Sequence, residues 1–163
     1  MKKMSENITR NSAISEIMQS LRRIIKSLQN YSQTVYSNFG ITGPQLWVLK
    51  AIYQNGSISL GELSEEMYLH PSTITGAVDR LEKKGYVLRN RNGDDRRVVK
   101  VRLTPKGNRL TKKAPKPIQG RMIYGLRKLK KEELFSIYKS IQKLVEIMEA
   151  QNVKVTFIFD QEK

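Results

Sequence analysis

HPSTITGAVDRLEKKGYVLRNRNGDDRRVVKVRLTPKG, residues 70–107 of a 163-residue chain, is the stretch whose reading decides the fold. In its first half Ile74, Ala77, Val78 and Leu81 recur at helical spacing and form one buried stripe. A break at residues 69–71 sets the start of this helix near Ser72. Gly85 suits the left-handed position past its end, and Lys83 and Lys84 complement the negative end of its dipole. The second half changes period. Residues 86–91 and 98–103 are rich in β-branched side chains and Arg, and they flank Asn92-Gly93-Asp94-Asp95. An Asn-Gly between two such runs predicts a β-hairpin. Thr104-Pro105 then opens another helix, with Pro where its missing N–H costs nothing.

Upstream, Thr42-Gly43-Pro44-Gln45 reads as a capping box that opens a helix through Tyr53, and Asn55-Gly56 as a turn. Ser59-Leu60-Gly61-Glu62 is a second capping box, followed by Leu60, Leu63 and Met67 on one face of a short helix. Two short helices in a tight turn, followed by a basic hairpin, make a winged helix-turn-helix. Further out, Ile14, Ile17, Met18, Leu21, Ile24, Ile25 and Leu28 predict an amphipathic helix over residues 10–37, ended by Gly40.

On the other side, Pro115 and Pro117 interrupt or kink the helix after the hairpin. A last helix over residues 131–150 carries Leu134, Ile137, Tyr138, Ile141, Leu144, Val145 and Met148 on one stripe. Val153, Val155, Phe157 and Phe159 alternate, which suggests a short strand in the tail. The expected fold is mainly α with a small β-hairpin wing. Residues 1–39 form an N-terminal dimerisation helix, 40–107 a winged helix-turn-helix, 108–150 the helices completing the dimerisation region, and 151–163 a tail. Both terminal stripes fit contact with a second copy or packing of one terminus on the other, and the two readings are compatible.

The charge is localised. The chain has 30 Lys+Arg against 15 Asp+Glu, a net charge of +15. Residues 79–113 hold thirteen basic side chains and four acidic ones, whereas residues 55–78 hold three Glu and no Lys or Arg. A run of charge is usually a solvated face, and that reading covers Lys106, Lys112, Lys113, Lys116 and Lys128–Lys131. It fits the hairpin poorly. Arg89, Arg91, Arg96, Arg97, Lys100 and Arg102 on one short ribbon repel one another unless an anion joins them. Arg offers a planar fork of donors matched to phosphate and to base edges, so double-stranded DNA is the expected partner.

Other chemistry is excluded or poorly supported. Zero Cys removes disulfides, thiolate catalysis and thiol redox sensing, and a single His makes a His-cluster metal site unlikely, so no metal or cofactor is expected. The acid pairs Glu65-Glu66, Asp94-Asp95 and Glu132-Glu133 have no nucleophile, base or phosphate loop beside them, which argues against an enzyme. No charge occurs from residue 27 to 49, but Gln29, Asn30, Gly40 and Pro44 interrupt that stretch, and a soluble, cytoplasmic protein is expected.

The quoted stretch, extended to residues 60–107, resembles the recognition helix, wing and following helix start of MarR-type regulators. The D-x-R-x-x-K pattern of Asp95, Arg97 and Lys100 joins the DRLEKKGYV and LTPKG segments at that family's spacing. The resemblance covers roughly residues 10–150 and implies a homodimer whose terminal helices interlock. It implies two recognition helices in successive major grooves of a pseudo-palindrome, and repression relieved by a small molecule; an aromatic or lipophilic effector is expected. By position, Ser72, Thr73, Thr75 and Gly76 meet the major groove. Arg97, with Arg96, reaches the minor groove, Asp95 orients the wing Arg, and Arg89, Arg91 and Lys100 contact phosphate. Arg80 has two readings, a DNA contact or a strut holding the helix to the wing.

Single residues also carry alternatives. His70, before Pro71, reads as a cap or a phosphate contact rather than a metal ligand. Tyr31, Tyr36, Phe39 and Tyr53 are candidates to line an effector pocket or are ordinary core and surface aromatics. Trp47 is a further candidate, with core packing the better reading. The alternative function is a non-specific architectural nucleic-acid-binding protein, whose binding any duplex would compete away equally.

Overall fold

A computed structural model describes residues 9–91, 99–155 and 157. The first helix, α1 (Arg10–Phe39), starts at Thr9, whose hydroxyl accepts from Ser12 N, and ends at Gly40, held at φ 67°. That positive φ suits glycine, which has no Cβ to clash there. Only Val35 of α1 is buried. The second helix, α2 (Gly43–Asn55), is the centre of the domain, with Leu46, Val48, Leu49 and Ile52 fully enclosed. Both halves of its capping box form: Gln45 N donates to Thr42 Oγ1 at 3.3 Å and Thr42 N to Gln45 Oε1 at 3.2 Å.

After the turn at Asn55-Gly56 comes a short strand, β1 (Ser57–Ser59), that the sequence reading did not anticipate. It runs directly into α3 (Leu60–Met67), whose capping box joins Ser59 and Glu62 as expected. Tyr68 then takes a left-handed conformation, and Ser64 Oγ donates to Leu69 O at 2.5 Å to close the turn. The next helix, α4 (Pro71–Lys83), buries Ile74, Ala77, Val78 and Leu81, the stripe read from sequence. His70 is its N-cap, accepting from Ser72 N.

The wing strands are β2 (Val87–Arg91) and β3 (Val99–Leu103). They pair antiparallel, Val87 opposite Leu103 and Arg89 opposite Val101. The strand β1 adds to the other edge of β3, Ile58 opposite Val101, so the sheet order is β1-β3-β2. The Asn-Gly tip lies outside the described residues.

Thr104 caps α5 (Pro105–Lys113) and ties it to the wing root, its hydroxyl donating to Gly85 O and its backbone N–H to Tyr86 O. A Cβ on Gly107 would collide with that Tyr86 carbonyl oxygen, so the junction admits only glycine. Pro115 and Pro117 break the chain into separate helices rather than kinking one, because neither proline can supply the backbone donor a continuous helix needs. The following helices are α6 (Ile118–Arg127) and α7 (Lys131–Ile147).

The tail departs from the sequence reading. Among its described residues no strand forms. Phe157 is instead 5% exposed, meeting Trp47 edge to face with ring centroids 6.4 Å apart. No helix among the described residues is long and apolar enough to cross a membrane.

Candidate nucleic-acid interface

At 100° per residue, Ser72, Thr73, Thr75 and Gly76 share the side of α4 opposite its buried stripe. Ser72 is exposed and the other three are half-exposed. Ser72 Oγ contacts His70 Nδ1 at 2.8 Å, and Thr75 Oγ1 donates to Pro71 O at 2.9 Å. Both hydroxyls are thereby oriented while keeping oxygen lone pairs for an outside donor. A Cβ on Gly76 would meet nothing within 4 Å. No neighbour among the described residues therefore requires glycine there, in mid-helix, where it is a poor helix former.

Strand parity sorts the wing. Val87 and Val101 are fully buried, and Arg89 shares their face, turned toward α4. Its guanidinium meets Asp79 Oδ1 and Glu82 Oε2, each at 2.5 Å, and its backbone N donates to Glu82 Oε1. Burial alone would lower its pKa, but the two carboxylates outweigh burial and raise it above the ordinary arginine value. Arg89 is thus a strut between wing and recognition helix, a role within the fold that its reading as a phosphate contact did not include. The alternation with Val87 and the Asp79/Glu82 pair one helical turn apart were the signal that could have shown it.

Lys100 and Arg102 take the opposite parity, and Arg102, exposed, was absent from the sequence-derived set of DNA contacts. Lys100 sits opposite Ser59 near the N-terminus of α3. The Glu62 carboxyl there lies below its usual pKa, chiefly through the Ser59 hydrogen bonds and, less strongly, through the charge of Lys100. Arg80 is half-buried with its Nε enclosed. Arg91 ends β2, its side chain outside the described residues, as are Asp95, Arg96 and Arg97.

The aromatics proposed for an effector pocket separate. Tyr36 and Tyr53 are exposed, Phe39 packs on the core from α1, and Trp47 faces α6 and Phe157. Tyr31 lies against Gly43, and its hydroxyl is buried without a hydrogen-bond partner among the described residues. That burial pushes its pKa up to about 12, with Arg121 of α6 pulling the other way. Gln119 Oε1, also on α6, is the other buried side-chain oxygen left without a partner there.

Residues 41–99 match the model of the MarR family. The chain is 33% identical over 131 residues to the uncharacterized HTH-type transcriptional regulator YsmB of Bacillus subtilis, spanning 80% of this chain and 90% of that one. The chain belongs to the MarR family.

It is 35% identical over 95 residues to the HTH-type transcriptional repressor MdtR of Bacillus subtilis, across 58% of this chain and 61% of that protein. In three dimensions it is similar to a MarR family protein from Bacillus stearothermophilus, with 31% identity, TM-score 0.51, and coverage of 87% of this chain and 99% of the other. Membership makes the chain a winged helix-turn-helix transcriptional regulator, not an enzyme, and DNA is the partner of MarR-family regulators. The side-chain arrangement on α4 fits that chemistry: small, oriented hydroxyls and an open backbone patch suit the depth of a major groove.

Proposed function

We propose that this MarR-family regulator is a homodimeric repressor that binds a pseudo-palindromic operator and is released by a small aromatic or lipophilic effector. The observation that carries the DNA reading is the exposed face of α4, with Gly76 open at its centre and Arg89 fixing the wing beside it. Ser72, Thr73, Thr75 and Gly76 read the major groove. Arg97 and Arg96 enter the minor groove, oriented by Asp95, and Arg91, Lys100 and Arg102 hold phosphates. Arg80 serves within the fold as a second strut. The similarity to a named repressor supports repression as the output.

The dimer rests on uncovered apolar surface. Helix α7 buries no residue, although Phe135, Ile137, Tyr138 and Ile141 line one side of it. Ile14, Ile17, Ile24 and Ile25 of α1 are each about half exposed or more. Helices of this kind owe their stability to packing of the amphipathic face, and here a second copy supplies it. Residues 1–39 and 108–150 then form the dimerisation region and 40–107 the DNA-binding domain. The effector rests on the buried Tyr31 hydroxyl and Gln119 oxygen, polar atoms that favour a ligand able to bond them.

Fluorescence anisotropy on duplexes selected without bias from random sequence, titrated with excess random competitor, tests the reading. Binding that resists competitor, with two chains per site, is the expected result. Equal loss to any duplex would instead establish the architectural alternative.

A further inference from the structure

We propose that the outward face of α5, continued by Lys116, is a second duplex-binding surface that grips phosphates flanking the site read by α4. The inference rests on the DNA-binding reading above and adds a surface to it. Gly107 and Thr111 bury one side of α5, while Lys106, Arg109, Lys112 and Lys113 are exposed. At 3.6 residues per turn those four occupy an arc of about 120° on the opposite side.

Two ordinary explanations of this face fail. Solubilising surfaces intersperse both signs of charge. Here no acidic residue occurs anywhere from Arg96 to Lys131, and Arg109, Lys112, Lys113 and Lys116 make no ion pair or hydrogen bond among the described residues. The second explanation is that Lys112 and Lys113 complement the negative end of the α5 dipole. That position is already taken. Lys50 reaches across from α2, its Nζ donating to Thr111 O at 2.6 Å and to Ala114 O at 2.7 Å. The ammonium of Lys50 is itself held below the usual lysine pKa by its burial and by the charge of Lys116.

The face abuts the C-terminal end of the recognition helix. Lys106 Nζ bonds Lys84 O just past the end of α4, so the basic strip begins where the recognition helix stops. From there α5 runs about 14 Å, the rise of roughly four base-pair steps. At its far part are three lysines, point charges on flexible stems, and one arginine whose fork fits a phosphate, a set suited to the duplex backbone. The occupant is therefore duplex backbone outside the selected site, held without regard to sequence.

The test compares wild type with the full-length variant Arg109→Gln/Lys112→Gln/Lys113→Gln/Lys116→Gln on two duplexes. One carries only the selected site, about 20 base pairs, and the other places it centrally in about 50. Wild type is expected to bind the longer duplex roughly tenfold more tightly, and the variant to lose that gain. The variant's log–log salt slope on the long duplex should fall by about 2–4, with short-duplex affinity unchanged within about twofold. No gain from the flanks in wild type, or a gain kept by the variant, overturns the surface; so does an equal loss on both lengths, which would place these residues at the site itself. Should the quadruple variant melt early, Lys112→Gln/Lys113→Gln is read the same way. Failure of wild type to bind the short duplex specifically would be failure of the proposed function, a separate result.

Discussion

Arg89 Nη2 and Asp79 Oδ1 lie 2.5 Å apart, and through this contact β2 is fastened to the recognition helix. Glu82 completes the fork from the next turn of α4. The two contacts fix the root of the wing against α4, so Arg89 is expected to position the interface. Arg89→Ala is expected to cost only about 1 kcal/mol of stability, because both carboxylates are partly exposed and solvent-screened. Specific DNA affinity should fall at least tenfold more than that loss accounts for. Arg89→Lys should recover little, since one ammonium cannot replace a two-pronged contact. Thermal melts beside anisotropy titrations measure both quantities; a DNA loss no larger than the stability loss would reduce Arg89 to an ordinary fold contact.

Gly76→Ala separates folding from recognition by sign. The added methyl meets nothing among the described residues, and alanine is favoured over glycine in a helix by about 0.5–1 kcal/mol. The variant should therefore melt higher and yet bind its selected duplex roughly tenfold more weakly, the methyl intruding where DNA approaches. Higher stability with full affinity would move the duplex away from this part of α4.

Trp47 is the only tryptophan, so its fluorescence reports the docking of Phe157 directly. Phe157→Ala should shift the emission to longer wavelength, increase quenching by acrylamide and lower stability by about 1–3 kcal/mol, the aromatic pair and buried area both being lost. An unchanged spectrum would show that the tail does not shield the indole in solution.

Tyr31 gives a pH signature. Its folded pKa of about 12 stands above the ordinary value of 10.0, so the proton is held more tightly in the folded state. The sign follows from linkage: stability from this group is fully present below pH 10 and is lost as pH rises from 10 toward 12. In an ultraviolet titration of the seven tyrosines, one should ionise late, and Tyr31→Phe should remove that late step. At neutral pH the same variant should be neutral or slightly stabilising, because the lost hydroxyl has no partner among the described residues. A destabilisation above about 1 kcal/mol would mean the hydroxyl is satisfied in solution.

Helices and caps were legible because they depend on neighbours within four residues. Thr42/Gln45, Ser59/Glu62 and the Ile74–Leu81 stripe form as their spacing dictates, and the prolines at 115 and 117 stop a helix by local sterics. The hairpin strands were legible from their alternation. The strand β1 was not, since three residues are too few to show a period and their pairing depends on β3, more than forty positions away.

Chain order by itself determined the element sequence, the localised positive charge and the small polar face of α4, each a matter of composition and period. Tertiary structure decided which charges are spent. Arg89 closes on two acids, Lys50 takes the end of α5, and Phe157 finds Trp47. The reason is physical: periodicity fixes the direction in which a side chain points, whereas its partner is fixed by distances between segments that only packing brings together.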